Sequence, residues 1–329
     1  MITLRIWADI CTPKETMLFS IIATELKRRG HEAIFTTRRY HETNDLIKYL
    51  GIEAKEIGKH GIDLRDKLEA SIIRMNGLFP FALMNKPDVL ITLVNPESCR
   101  IAYGLGIPVV NFIDMPEADK VCRLTLPLST QVFAPFVVER HLLKRFWDGS
   151  TYYYDCLDPV AWMPKRPKPI GEILDGEITY PFIIYREGET KASYYQSMGM
   201  EDITSDVIEA IKGEYPDGTY MGISRYDHHP MTDLQSLLYY ADLFVGGGGT
   251  INIEAAYWGT WVLSCRPIST AYDRWLEGQG MVQRVRTVGE SLGYAREFIE
   301  SGGKNPRGEI LREMEFPLGE ICDIIEKTA

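Results

Sequence analysis

The stretch "VGGGGTINIEAAYWGT" (residues 245–260) follows the apolar run ADLF and opens a helical pattern with no intervening linker. Glycines there let a ligand approach the backbone closely, and the unpaired N–H groups of a first helical turn, with the helix dipole, form an anion site. The run is not a GxGxxG fingerprint, and no Gly-Lys-Ser/Thr follows, so Walker-type ATP chemistry has no support. With Thr250 as N-cap, the capping-box position is Ile253, and Glu254 lies one residue beyond it. Glu254 therefore reads in two ways. It complements the helix dipole, or it accepts hydrogen bonds from a ribose diol while Gly247, Gly248, Gly249 and Thr250 hold phosphates. Spacing alone leaves these level.

Working outward, short β-branched runs alternate with amphipathic stretches. In the first half, TLRIWADI, HEAIFTTR, EAKEIGK, DVLITLVN, IPVVNFID and QVFAP read as strands. Helices are expected between them, including a long one over about 63–85 interrupted by Gly77 and Pro80. Residues 148–180, rich in Pro, Gly and Tyr, read as an inter-domain connection. PFIIYRE, TYMGIS, ADLFVGG and WVLSCRP then restart the alternation, and two more helices are expected in 287–301 and 307–327. This pattern predicts two α/β domains in tandem, each a doubly wound parallel sheet. The expected division is 1–165 and 166–329, with the last helix returning to the first domain and the ligand in a cleft between the two.

Composition narrows the class. The chain has 329 residues, 45% hydrophobic and 25% charged, as a globular protein has. Its net charge of −10 is uneven, with 21 Lys/Arg against 20 Asp/Glu in 1–165 and 15 against 26 in the remainder. An acidic second half argues against nucleic-acid binding, so an anion held there needs local donors. Six scattered cysteines form no CxxC pair, and the histidines give no HExxH, so free buried thiols and no metal are expected. The N-terminus lacks a signal-peptide layout and no apolar run approaches a membrane span, which predicts a cytoplasmic protein. The apolar segment NGLFPFALM (76–84) is either core or an exposed patch for a lipid acceptor or partner.

Small-Gly-Gly-Gly-Thr-x-x-x-Glu-Ala, then Gly-Thr, an apolar strand and Arg-Pro, resembles the donor site of GT-B sugar-nucleotide enzymes. Among these are the lipid-intermediate N-acetylglucosaminyltransferase of peptidoglycan synthesis and the non-hydrolysing UDP-GlcNAc 2-epimerases. A longer resemblance runs through "RIWADICTPKETMLF", "KRRGHEAIFTTRRYHET", "IGKHG", "GIPVVNFIDMPEADKVCRLTLPLS", "YREGETKASYY" and "LQSLLYYADLFVGGGGTINIEAAYWGT". It is to an uncharacterised, largely archaeal GT-B-like family known as a domain of unknown function.

The resemblance implies a GT-B fold, with an acceptor-side N-terminal domain and a donor domain holding a UDP-sugar or other NDP-sugar. Glu254 would take the ribose, and Arg186, after the first strand of the second half, would reach the donor phosphates. Arg225 would flank base or phosphates, and Ser269 and Thr270 would meet the sugar, helix capping being the plain alternative for both. On the acceptor side, "ADICTPKE" offers Asp9, Thr12 and Lys14, with Glu15 near where related enzymes have a histidine. "NFIDMPEADKVCRL" offers Asp114, Glu117 and Arg123. A carboxylate among Asp9, Asp114 and Glu117 would be the general base; His60 in GKHG is a further loop candidate. The expected activity is metal-independent glycosyl transfer to an unidentified acceptor, lipid-linked or glycan, with no separate cofactor and a homodimer allowed. Alternatives are a UDP-GlcNAc 2-epimerase-like reaction and a non-catalytic sugar-nucleotide-binding module.

Overall fold

The computed structural model describes residues 2–188, 202–223 and 233–329. The chain divides into two compact units, Met1–Trp162 with Glu315–Ala329, and Met163–Met314. Each is a parallel sheet with helices in its crossovers.

The first unit runs β1 (Arg5–Asp9), α1 (Pro13–Arg28), β2 (Glu32–Arg39), α2 (His41–Tyr49), β3 (Ala54–Lys59), α3 (Leu64–Asn85), β4 (Val89–Thr92), α4 (Pro96–Gly104) and β5 (Val109–Phe112). α5 (Asp119–Thr125), β6 (Gln131–Pro135), α6 (Arg140–Leu143) and β7 (Thr151–Tyr154) complete it. Its seven strands lie in the order β3-β2-β1-β4-β5-β6-β7, all parallel. β4 and β5 are buried throughout, which is why they read as continuous apolar runs rather than alternating ones. β7 corrects the expectation of an irregular connection: Thr151–Tyr154 pairs with β6, and its tyrosines are strand residues. α3 continues through Gly77 and Pro80. A Cβ at Gly77 would stand 2.5 Å from Ile57, so this glycine marks close helix–strand contact rather than a break.

The second unit runs β8 (Phe182–Arg186), α7 (Thr204–Glu214), β9 (Thr219–Gly222), α8 (Leu234–Tyr240), β10 (Leu243–Gly246), α9 (Thr250–Tyr257) and β11 (Trp261–Ser264). α10 (Ala271–Gly278), β12 (Gln283–Arg284), α11 (Val288–Glu300) and α12 (Glu309–Arg312) follow. The order β12-β11-β10-β8-β9 is again all parallel. The single helix expected over 307–327 is two, because the chain turns at Pro317. α13 (Leu318–Thr328) belongs to the first unit, where Arg29 meets Asp323 at 2.5 Å and Glu326 at 3.2 Å.

The core of the first unit contains one charged pair. Arg74, in the middle of α3, is 1% exposed, and Asp9, the last residue of β1, is fully buried. The guanidinium donates to Asp9 Oδ1 at 2.6 Å and Oδ2 at 3.2 Å, and Glu97 lies 3.7 Å from Arg74. Thr36 also donates to Asp9 and accepts from the Trp7 indole. Burial alone would raise the Asp9 pKa, but Arg74 and these hydrogen bonds outweigh it and hold the carboxyl below its ordinary value. Outside this core, the solvent side of α3 carries Leu64, Leu68, Ile72, Phe79, Leu83 and Met84 as exposed side chains, so part of segment 76–84 is surface. Arg74→Met should cost about 3–5 kcal/mol in urea unfolding, because it strands the Asp9 charge in the core. Arg74→Met combined with Asp9→Leu should recover much of that loss.

Candidate functional site

The glycine run lies at the carboxyl end of β10, between β8 and β11, where ligands of open parallel sheets collect. The N-cap of α9 is Gly249, at φ +93°, and not Thr250, which is the first helical residue. That moves the capping-box position to Asn252 and places Glu254 two residues beyond it. Three glycines are required by the turn itself. A Cβ on Gly247 would stand 2.3 Å from the Gly188 Cα, and Gly248 and Gly249 have left-handed backbones at φ +85° and +93°. Gly246 pairs with Arg186 across the ladder, and the Gly247 N–H donates to the Arg186 carbonyl at 3.1 Å. Arg186 and the glycine turn are thus neighbours at one sheet edge. Glu254 is buried and accepts from Gln235 Nε2 at 3.3 Å. Asn252 is fully buried too, with neither amide atom hydrogen-bonded.

Beyond β11, Thr270 is engaged in helix capping. Its hydroxyl donates to Asp273 Oδ2 at 2.8 Å and accepts from the Asp273 N–H at 3.4 Å, a complete capping box at the start of α10. Arg266 joins the same carboxylate at 2.9 Å. Ser269 is half-buried, and its carbonyl accepts from Arg274 at 3.2 Å. Arg225 lies outside the described residues.

In the first unit the polar candidates gather at the carboxyl edge of β1, β4 and β5. Asp9, one of the three carboxylates considered as general base, is closed to solvent, and its oxygens meet Arg74 and Thr36. Asp114, just past β5, keeps partial exposure and accepts from Lys14 Nζ at 2.5 Å. Lys14 also pairs with Asp158, which in turn accepts a hydrogen bond from the Tyr154 hydroxyl. Burial would lower the Lys14 pKa, yet the two carboxylates raise it well above the ordinary lysine value. Glu117 lies in the turn before α5, and its carbonyl accepts from the Asp119 N–H at 2.8 Å.

Glu15 is the residue whose part only the structure reveals. At 2% exposure it accepts from the Cys11 N–H at 2.6 Å, Asn95 Nδ2 at 2.9 Å and the Thr12 hydroxyl at 3.0 Å. Burial, assisted by Asp9, lifts its pKa to about 7 despite those donors. Its one sequence signal is the Thr12-x-x-Glu15 capping pattern, realised with Thr12 as N-cap of α1. Asn95 also donates to the Asp9 carbonyl at 3.2 Å and follows Val94, a β-branched residue at φ +49°. A left-handed valine is strained, and its strain sits at this edge. All six cysteines are free and buried. No helix among the described residues is long and apolar enough to cross a membrane.

The two parallel-sheet units and their order along the chain define a GT-B fold of two Rossmann-like domains. Solved GT-B structures agree. UDP-GlcNAc 2-epimerase from Neisseria meningitidis bound to UDP-GlcNAc aligns with TM-score 0.73 and 16% identity over 99% of each chain. The spinosyn forosaminyltransferase SpnP aligns with TM-score 0.63 and 14% identity over 99% of this chain and 100% of its own. The chain belongs to the family described as Protein of unknown function (DUF354), whose model matches residues 4–328. The uncharacterised protein MJ0665 of Methanocaldococcus jannaschii is 27% identical over 319 residues, covering 91% of this chain and 93% of the relative.

Because the Glu15 pKa is raised on folding, the native state binds the extra proton between the unfolded value near 4.5 and about 7. Stability from this group is therefore present at low pH and lost as pH rises through that window. Glu15→Gln should flatten the slope: thermal unfolding should show the variant gaining on the parent from pH 5 to pH 8, by on the order of 2 kcal/mol.

Proposed function

We propose that the second unit binds a nucleoside-diphosphate sugar, UDP-linked, and that the protein transfers the sugar to an acceptor without a metal. The observation that carries the reading is the turn Gly247–Thr250 at the carboxyl end of β10, followed within α9 by the buried Glu254. First-turn N–H groups would hold the diphosphate and stabilise the charge it gains on leaving. Glu254 would accept from the ribose hydroxyls, and Arg186, ending the adjacent strand, would supply positive charge in an acidic unit. The relatives named above support a sugar nucleotide through what two of them bind or transfer. On the acceptor side, Asp114 and Glu117 are the carboxylates proposed as general base, with Lys14 fixing Asp114.

A second reading is favoured by one observation: of the two solved structures compared, the UDP-GlcNAc 2-epimerase superposes better, at TM-score 0.73 against 0.63. In that reading paired acids of the first unit remove and return the proton at C2 of the sugar. Incubation with UDP-GlcNAc alone decides between them, since conversion without any acceptor fits epimerisation and excludes obligate transfer. A non-catalytic sugar-nucleotide-binding module predicts binding with no turnover under either condition.

A thermal-shift panel of nucleotides and NDP-sugars tests the ligand class. UDP at about one hundred times its Kd should raise the melting temperature by roughly 5 °C, and Glu254→Ala should abolish most of the rise. If no nucleotide shifts the melting of the parent protein, the proposal fails.

A further inference from the structure

We infer that the carboxyl edge of β2 and β3 in the first unit is a binding site for a phosphate-type dianion, held by Arg38, Lys67 and His60. This inference stands apart from the nucleotide reading, since it concerns other residues on the other unit.

The geometry begins with the loop after β3. Gly61 lies against the first turn of α3: a Cβ there would stand 2.5 Å from both the N and the Cα of Lys67. That close approach sets His60 beside α3, and its N–H donates to the Arg39 carbonyl at 3.1 Å, at the end of the neighbouring strand. The imidazole packs on Tyr40, with ring centroids 5.3 Å apart. Arg38 precedes these residues on β2.

The charges at this edge do not cancel. Arg39 pairs with Glu56 at 2.9 Å, and Lys59 with Asp66 at 2.9 Å. Among the described residues no carboxylate forms an ion pair with Arg38 or Lys67. Two polar atoms here are also shut off from solvent without any hydrogen bond, Arg38 Nε and His60 Nδ1. Buried polar atoms are normally satisfied, and leaving one unpaired is destabilising. Two at one edge, beside two unpaired cations, call for an acceptor with several oxygens. An arginine fork with a lysine matches two negative charges better than one.

Other groups around His60 agree. Burial first, then Arg38 and Lys67, pull the His60 pKa down to about 4, against an opposing contribution from Asp66. The nearby carboxyl of Glu15, raised to about 7, is a weak competitor for the positive charge. A bound dianion would offset the cations and favour the imidazolium, so it must raise the His60 pKa. Tetrahedral oxyanions on phosphate esters or free phosphate share this chemistry.

The test follows the His60 ring C–H resonance through a pH titration of the full chain, assigned by its loss in His60→Asn. Sodium sulfate serves as the probe because it stays a dianion throughout, with sodium perchlorate at equal ionic strength as the monoanion control. Sulfate should raise the His60 pKa by about one unit or more, perchlorate should not. Arg38→Gln should abolish the sulfate effect and Lys67→Gln should weaken it. Arg38 makes no side-chain hydrogen bond among the described residues, so its replacement breaks no internal hydrogen bond. The inference is overturned if sulfate leaves His60 unmoved, if perchlorate acts equally, or if Arg38→Gln retains the full response. Because the resonance reports on this edge alone, its result is independent of the nucleotide thermal shift.

Discussion

An arginine closed to solvent in the middle of a helix keeps its charge, and that charge is tolerable only where a carboxylate meets it with good geometry; in the first unit that demand falls on Asp9. Removing both charges from water costs several kcal/mol each. The two-point contact between Arg74 and Asp9, with Thr36 as a further donor, makes the arrangement tolerable. It also leaves little freedom. α3 must cross the sheet where Arg74 reaches the end of β1, and Gly58 must be small there, since its Cβ would lie 3.0 Å from the Arg74 Cβ. The edge carrying Glu15, Asn95, Lys14 and Asp114 is then built around a fixed strand end.

That constraint changes the reading of the acidic residues. Asp9 looks like a catalytic base because it follows the first strand, yet its carboxylate belongs to the core. Asp114, beside Lys14, keeps partial exposure, while Glu15 ties the loop after β1 to Asn95. The same discipline applies to the glycine run. Close approach to Gly188 and two left-handed residues account for three of its glycines without any ligand. An anion there would be favoured by the turn's place at the carboxyl end of the sheet and by the buried Glu254, not by the number of glycines.

Alternation of apolar strands with amphipathic helices made the two α/β units legible from residues alone, because covered parallel strands must be apolar along their length. The turn at 246–249 was legible as well, being local chemistry within a few residues. Local signals failed where tertiary packing overrode them. Gly77 and Pro80 do not break α3, the tyrosines of β7 extend the sheet, and Gly249 displaces Thr250 as the cap.

What the sequence determined by itself was therefore the fold class, the strand-to-helix turns and a short roster of polar loop residues. The tertiary structure decided which of those residues are spent on structure. Asp9 went to Arg74, 65 positions away, and Thr270 closed its own cap on Asp273. Only folding brings Arg38, His60 and Lys67 to one edge, or lifts Glu15 towards neutrality. Burial and long-range charge set a side chain's ionisation and its free valences, and neither is written in the local sequence.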